Sequence, residues 1–349
     1  MVTSEQVARE AGVSRATVSR VLNGSGRVSD ETKKRIYAAI ATLGYEANVF
    51  ARITPKERSQ LIALALMGKN GLNFSSLTDT KYYYYLDLIR FIEVDAAKEN
   101  FDFFLPSSLY NAFNSSNDPA TSYILTLQAR QVAGVIMLAL DSTDPRIQAL
   151  CSSSIPTVFI DCIYQGERAT YVKSDYMNGA RQATTHLLEL GHRRIAFFPG
   201  DPISLSGVER LMGYQQTMAQ AGLVIDSNLV RQSSFASKDA YLAAMTLLSE
   251  RRDFSAIVAS SDMMALGILR ALQKHNLRVP EDISLIGFDD IDLSADADPP
   301  LTTVRQDKQA LSQGAISQLL QLIKGEETPP LIVPTQLIIR ASTAAPRTN

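Results

Sequence analysis

Short apolar runs of β-strand character alternate with segments of helical periodicity, in two successive series, over residues 61–288. The predicted strands are residues 61–67, 101–105, 132–138 and 156–160 in the first series, and 194–200, 255–260 and 283–288 in the second. The predicted helices between them include residues 84–99, 207–221 and 262–275. Such alternation is typical of parallel sheets with helices on both faces. The sequence therefore predicts two doubly wound α/β lobes, with a ligand crevice at the carboxyl ends of the strands.

Residues 1–60 show a different pattern, that of three short helices over residues 4–11, 14–23 and 29–43. Thr3 begins the first helix as the N-cap of a capping box. Gly12 ends it, because glycine adopts the left-handed conformation of a tight turn at little cost. Ser14 is suited to cap the second helix. Two short helices joined by a four-residue turn predict a helix-turn-helix head.

In that arrangement the second helix enters the DNA major groove with its amino-terminal side chains on base edges. Arg15 and Arg20 lie on the polar face of this helix, and guanidinium groups pair bidentately with guanine or phosphate. The other residues of the head that we expect to reach DNA are Thr3, Ser14, Ala16, Thr17, Ser19 and Asn23. Periodicity and charge alone leave a second interpretation open, a structural three-helix bundle with solvated arginines.

Charge is divided unevenly along the chain, although the net charge is only −2. Residues 1–60 contain ten Lys and Arg against six Asp and Glu, which gives +4, and the remainder contains 24 against 30, which gives −6. A basic head on an acidic body is typical of a polyanion-binding module joined to a domain with another task. No apolar run is long enough to span a bilayer and no secretory signal begins the chain, so we expect a cytoplasmic protein.

The head contains the segments VAREAGVSRATVSRVLNGSGRVSDETKKRI, LGYEAN and FAR. These resemble the DNA-binding head of the lac/gal repressor family. Several blocks of the body resemble the effector-binding core of the same family, namely FIDC, HLLELGHRRIAFFPG, ERLMGY, SDMMALG, VPEDISLIGFDD and PPLTTVRQD. The resemblance implies a transcription regulator that binds double-stranded operator DNA as a homodimer. It also implies a body like the periplasmic sugar-binding proteins.

The resemblance implies the following domain limits: a head over residues 1–47, a hinge over 48–60, a body over 61–340 and a polar tail over 341–349. The chain is expected to cross between the lobes near residues 173, 305 and 328. No leucine heptad follows Arg340, so we expect a dimer and not a tetramer built by a terminal coiled coil.

The hinge departs from the family pattern. The resemblance implies that Asn48–Thr54 forms a short helix in the minor groove, with DNA contacts from Asn48, Ala51, Arg52 and Thr54. The family usually has a leucine wedge at the position of Thr54, and apolar wedges kink DNA. Either Ile53 or Phe50 replaces the wedge, or the operator is bent less. We favour the second, because shifting a helix by one residue rotates its face by roughly 100°.

The resemblance also implies which side chains hold the effector. These are Tyr84, Tyr85, Asp161, Arg210, Phe235, Ser261 and Asp289. Carboxylates and a guanidinium suit sugar hydroxyls, and aromatic rings pack on the apolar faces of sugar rings. Each residue also has a structural interpretation: a surface ion pair for Arg210, a cap for Asp289, and core packing for the aromatics. At Ser261 many family members have asparagine, which puts the identity of the ligand in doubt.

Two other classes of protein compete with a regulator. An enzyme is disfavoured, since no Gly-rich phosphate loop or nucleophile elbow occurs and His186, His192 and His275 have a structural interpretation. No catalytic residue, cofactor or metal is therefore expected, and Cys151 and Cys162 have no metal-ligand spacing. A transport binding protein would share the body but not the head. Repression relieved by a sugar-like inducer is the favoured mode, and a corepressor of nucleoside or purine type is the alternative.

Overall fold

The computed structural model describes residues 4–22, 28–43, 60–67, 82–105, 119–139 and 144–347. The chain divides into two compact units, Met1–Ser59 and Gln60–Asn349. The predicted end of the head at residue 47 and the predicted hinge up to residue 59 lie outside the described residues. Those domain limits therefore stay predictions.

The described residues of the first unit form three helices, α1 (Ser4–Glu10), α2 (Arg15–Leu22) and α3 (Asp30–Leu43). Gly12 has φ of 64°, the left-handed conformation that the tight turn between α1 and α2 requires. The Ser14 hydroxyl accepts a hydrogen bond from the Thr17 amide at 3.1 Å and so caps α2. Apolar side chains on the facing sides of the helices form a small core: Val7, Ala8, Ala11, Val18, Val21, Ile36 and Ala39.

The second unit contains two α/β lobes, and the first is built on a six-stranded parallel sheet. Its strands are β1 (Leu61–Met67), β2 (Asp102–Phe104), β3 (Gly134–Ala139), β4 (Thr157–Ile160), β5 (Ala169–Ser174) and β10 (Leu331–Val333). They lie in the order β10-β5-β4-β3-β1-β2. The helices that cover it are α4 (Tyr83–Lys98), α5 (Pro119–Ala129), α6 (Pro145–Cys151) and α12 (Lys308–Lys324). Both faces of the sheet are buried, as expected of parallel strands.

The second lobe is built on a five-stranded sheet. Its strands are β6 (Ile195–Phe198), β7 (Ala256–Ala259), β8 (Ser284–Asp289), β9 (Thr302–Gln306) and β11 (Thr335–Ile338). They lie in the order β11-β9-β8-β7-β6 and are parallel except for β11. Its helices are α7 (Tyr176–Glu189), α8 (Leu205–Gln220), α9 (Ser237–Glu250), α10 (Asp262–Lys274) and the single turn α11 (Asp292–Ala295). The predicted fold class, a helix-turn-helix head with two doubly wound lobes, is confirmed.

The chain passes between the lobes three times. Two passages follow Ser174 and Gln306, close to the predicted positions of 173 and 305. The third lies at Pro334 and not near 328, because Leu331–Val333 first adds a strand to the first sheet, with Leu331 opposite Val172.

Residues 341–344 are packed against the second lobe, which corrects the prediction of a polar tail there. The Ser342 side chain is buried, its hydroxyl donates to the Leu285 carbonyl, and it accepts from the Thr302 amide at 2.8 Å. The tail is polar in sequence, but the Ser342 hydroxyl satisfies backbone groups at the edge of the core. In the ranges that the structure describes, no helix is both long and apolar enough to span a membrane.

Candidate functional site

A cavity lies between the two lobes, at the carboxyl ends of their strands. Nine residues line it: Tyr84, Tyr85, Asp161, Ser206, Arg210, Phe235, Ser261, Met263 and Asp289. All seven residues that the sequence predicted for the effector site are among them. Sequence reasoning missed Ser206 and Met263. The first could have been found from helical spacing, since Ser206 precedes Arg210 by one turn of α8.

Asp161 and Asp289 occupy equivalent places in the two lobes. Asp161 directly follows β4, and Asp289 is the last residue of β8. Both have left-handed backbones, with φ of 64° and 118°. Such conformations are costly for residues other than glycine and cluster at functional sites. Each turn brings a carboxyl group to the cavity from its own side.

The Asp161 carboxylate is held by two tyrosines. The Tyr85 hydroxyl donates to one oxygen at 3.0 Å, and the Tyr176 hydroxyl donates to the other. Burial raises the pKa of Asp161, and the hydrogen bonds from Tyr176 and Tyr85 oppose that shift. Burial also raises the pKa of both tyrosines well above the usual value. Their hydroxyls therefore remain protonated donors at neutral pH.

Arg210 is the central cation of the site and is almost fully buried. Its guanidinium stacks over the Phe288 ring at 3.9 Å and the Tyr176 ring at 4.7 Å. It also donates to the Ser260 carbonyl and lies 3.7 Å from an oxygen of Asp289. These contacts fix the plane of the guanidinium at the cavity wall.

Asp289 is held by its neighbours as well. The Gln306 side-chain amide donates to the Asp289 carboxylate at 2.7 Å. Burial raises the pKa of Asp289, and the Arg210 charge opposes that shift. The site thus combines two carboxyl groups and one guanidinium, each held by hydrogen bonds or ring contacts with its neighbours.

One buried donor of the site, the Nε of Arg210, lacks a hydrogen-bond partner among the residues that the structure describes. A buried unsatisfied donor costs about 1–3 kcal/mol. Orphan donors at a cavity wall indicate that the cavity accepts a polar molecule.

Aromatic and apolar side chains complete the walls. Tyr84 and Tyr85 meet edge to face, with ring centroids 5.3 Å apart, on the first lobe. Phe235 and Met263 lie on the second lobe. The enclosed volume is about 40 Å³, enough for a water molecule or two. A ligand of several rings requires the lobes to move apart.

Asp262 lies behind the cavity wall and was not predicted as a site residue. It is fully buried and accepts hydrogen bonds from the Thr303 hydroxyl at 2.5 Å and the Ile291 amide at 3.0 Å. Burial, and then repulsion from Asp289, raises its pKa. The neighbouring Ser261 hydroxyl accepts from the Met264 amide at 3.1 Å and caps α10. A hydroxyl used in this way can still donate its proton to a ligand.

The head presents its predicted DNA-contacting residues on one helix. Ser14, Arg15, Ala16, Ser19 and Arg20 are exposed, and Thr17 is half-buried. The Ser14 and Thr17 hydroxyls are hydrogen-bonded to each other at 2.9 Å. The remaining predicted contacts lie outside the described residues: Thr3, Asn23, Asn48, Ala51, Arg52 and Thr54. The alternative wedge residues Phe50 and Ile53 lie outside them too.

The histidines have structural partners. His192 is buried and hydrogen-bonded to the Ser255 and Ser284 hydroxyls and the Ala344 carbonyl, and burial lowers its pKa. His186 pairs with Thr343, and His275 with Arg252. Cys151 and Cys162 are free thiols. Within the described ranges, no group of His, Cys, Asp or Glu is placed to hold a metal ion.

Comparison with family models gives two matches. Residues 4–48 match the model described as bacterial regulatory proteins, lacI family. Residues 184–343 match the model described as a periplasmic binding protein-like domain.

Curated proteins and solved structures extend these matches to the whole chain. The HTH-type transcriptional regulator CelR of Thermobifida fusca is 35% identical, over 97% of this chain and 98% of that protein. The regulator AscG of Escherichia coli strain K12 is 31% identical, over 99% of each. A structure of a CelR–cellobiose complex has a TM-score of 0.71 at 33% identity, covering 98% of this chain and 100% of that one. The lac repressor dimer bound to operator and the anti-inducer ONPF has a TM-score of 0.76 at 28% identity, covering 99% of each chain.

Proposed function

The chain belongs to the lacI family of bacterial regulatory proteins and is a DNA-binding transcription regulator. We propose that a neutral, sugar-like effector binds between its lobes and controls operator binding. The predicted head residues Arg15 and Arg20 read the operator, and two heads of a homodimer occupy its half-sites. The effector relieves repression. A regulator of this kind acts in the bacterial cytoplasm, where its operator DNA lies. We propose no catalytic residue for it.

One observation carries the proposal: buried donors and acceptors converge on a cavity with aromatic walls. The carboxyl groups of Asp161 and Asp289 accept from hydroxyls, and the guanidinium of Arg210 donates to them. The buried Nε of Arg210, which has no partner among the described residues, is available to donate to a ligand. A sugar offers adjacent hydroxyls that both donate and accept, together with an apolar ring face.

The charges of the site favour a neutral ligand. The ionisable side chains that line the cavity are two aspartates and one arginine, besides tyrosines whose pKa burial raises. A phosphate or carboxylate ligand would therefore face two carboxyl groups with one guanidinium to balance them. A polyhydroxylated ligand avoids this repulsion.

Movement of the lobes provides the link to DNA. The enclosed cavity of about 40 Å³ is far below the several hundred Å³ of ordinary ligand pockets. We propose that the effector binds a wider cleft, and that its different affinity for the two lobe arrangements shifts the equilibrium between them. Of the two similar structures named above, one is a complex of CelR with cellobiose, and the other is a lac repressor dimer bound to operator DNA and an anti-inducer. Cellobiose is accordingly the first sugar to test.

A thermal-shift screen tests the proposal. The full chain is melted with cellobiose, other mono- and disaccharides, sugar phosphates and nucleobases, beside the Arg210→Ala variant as control. We expect one neutral sugar to raise the melting temperature of the wild type but not of the variant. Stabilisation by a nucleobase or a sugar phosphate, with no response to neutral sugars, would overturn the proposal.

A further inference from the structure

One ion pair joins the two lobes beside the cavity without lining it. Lys173 is the penultimate residue of β5 in the first lobe, and Glu209 lies on α8 in the second. Both carboxylate oxygens of Glu209 accept hydrogen bonds from the Lys173 ammonium group. The side chains are only 9% and 18% exposed.

The surroundings connect this ion pair to the site. The Lys173 ammonium lies 5.8 Å from the centre of the Tyr176 ring, and the Arg210 guanidinium lies 4.7 Å from the same ring. Tyr176 in turn donates to Asp161 across the cleft. Glu209 directly precedes Arg210 on α8, so a force on Glu209 acts on the turn that carries Arg210.

Ion pairs of this kind resist separation strongly. Breaking a buried pair leaves a charge without its partner in a poorly solvated place, which is far more costly than losing an exposed pair. Two other contacts between the lobes near the crossovers are not ion pairs. Ser174 and Gln306 form a neutral hydrogen bond at 2.7 Å, and the Lys308 ammonium donates to the Asp290 carbonyl at 3.3 Å.

We propose that the Lys173–Glu209 ion pair is an interlobe latch: it favours the closed cleft and holds the α8 turn that positions Arg210. Both are positioning residues, since neither lines the cavity. Opening the cleft moves β5 and α8 apart and exposes or breaks the pair. The consequence for effector affinity rests on the proposed function, whereas the effect on lobe closure does not.

Tryptophan fluorescence tests the latch without any ligand, because the chain contains no tryptophan. The Phe235→Trp variant of the full chain carries a single reporter at the cavity wall, and all other changes are made in this background. The measured quantities are the emission maximum and the acrylamide quenching constant. Cooperative thermal melting shows that each variant is folded.

Glu209→Gln and Lys173→Met each remove one charge, and the double change Lys173→Glu with Glu209→Lys restores a pair of opposite sense. Glu250→Gln is the matched control, since Glu250 pairs with Arg231 within the second lobe. We expect a red-shifted emission and about a twofold or larger rise in quenching for both single variants, as the population of open cleft grows. The charge swap should recover the parent values, and the control should equal the parent.

Unchanged quenching in both folded single variants would overturn the latch, as would a charge swap that recovers nothing. If the single variants fail to fold, the double change Lys173→Met with Glu209→Met removes both charges and leaves none buried alone. Raised quenching in this folded double variant supports the latch, and parent-like quenching contradicts it. Because the reporter needs no sugar, failure of the sugar proposal leaves this test intact.

Discussion

Gly200 and Phe235 are in such close contact that a methyl group on Gly200 would lie 2.5 Å from the Phe235 ring. Gly200 follows strand β6 with φ of 80°. Glycine is needed there for its backbone and for the space it leaves. A residue at the end of a strand thus sets where an aromatic wall of the cavity stands.

Gly200→Ala should therefore weaken effector binding by moving Phe235. The matched control is Gly222→Ala, since Gly222 also has positive φ, at 69°, but open space where a Cβ would point. Both changes strain the backbone by about 1 kcal/mol and lower the melting temperature. Calorimetry with the stabilising sugar should show a loss of affinity for the Gly200 variant alone. Equal affinities for the two variants would show that Phe235 does not touch the ligand.

Arg210→Ala and Asp289→Ala should each weaken effector binding by about 2–4 kcal/mol, because each leaves buried polar partners unpaired. The affected partners include the Ser260 carbonyl and the Gln306 amide. Titration calorimetry gives the affinities. Glu250→Gln, a change remote from the cavity, serves as the control. Wild-type affinity in a folded Arg210→Ala protein would remove that residue from the site.

Asp262→Asn should flatten the pH dependence of stability. Burial and Asp289 raise the pKa of Asp262, so the folded chain keeps a proton that the unfolded chain has lost. Stability from this group is complete below the ordinary carboxyl pKa and is lost as the pH rises through the raised value. Asparagine does not ionise, and its oxygen can still accept from the Ile291 amide. Between about pH 5 and pH 9 the melting temperature of the wild type should fall more steeply with rising pH than that of the variant. Parallel curves would contradict a raised pKa.

Arg20→Ala should cost about 1–3 kcal/mol in operator binding and relax specificity at one base, if Arg20 reads that base. Arg15→Ala is expected to behave similarly, while Lys324→Ala, a change of the same charge on the exposed end of α12, should bind as the wild type does. Fluorescence anisotropy with cognate and scrambled DNA gives the ratio of affinities. An unchanged ratio in Arg20→Ala would show that this arginine binds phosphate or nothing.

Asp161 and Asp289 could be predicted because the segments that carry them, FIDC and VPEDISLIGFDD, resemble the effector-binding core of the family. Both residues also stand at the ends of predicted strands. The head could be predicted because capping residues and the Gly12 turn act locally. Strands β5, β9, β10 and β11 were not predicted, and β10 and β11 have only three and four residues.

Long-range pairings could not be obtained from the sequence. Lys173 and Glu209 are 36 residues apart, and no local pattern couples them. The burial of Asp262 depends on Gly287, where a Cβ would lie 2.1 Å from a carboxylate oxygen. The burial of Ser342 within the predicted polar tail could not be predicted for the same reason: its partners, Leu285 and Thr302, are brought to it only by the folded sheet. The hinge with Thr54 stays a prediction.

Measuring operator binding with and without the sugar tests directly whether the effector controls binding to DNA. Anisotropy of a labelled fragment of the protein's own promoter is measured for the wild type and for Arg210→Ala, which should bind equally well without sugar. We expect saturating sugar to weaken operator binding by the wild type about 5- to 150-fold, the usual range of allosteric coupling, and to leave binding by the variant unchanged. A sugar that binds the wild type without weakening its hold on the operator, or a variant that responds as the wild type does, would contradict this expectation.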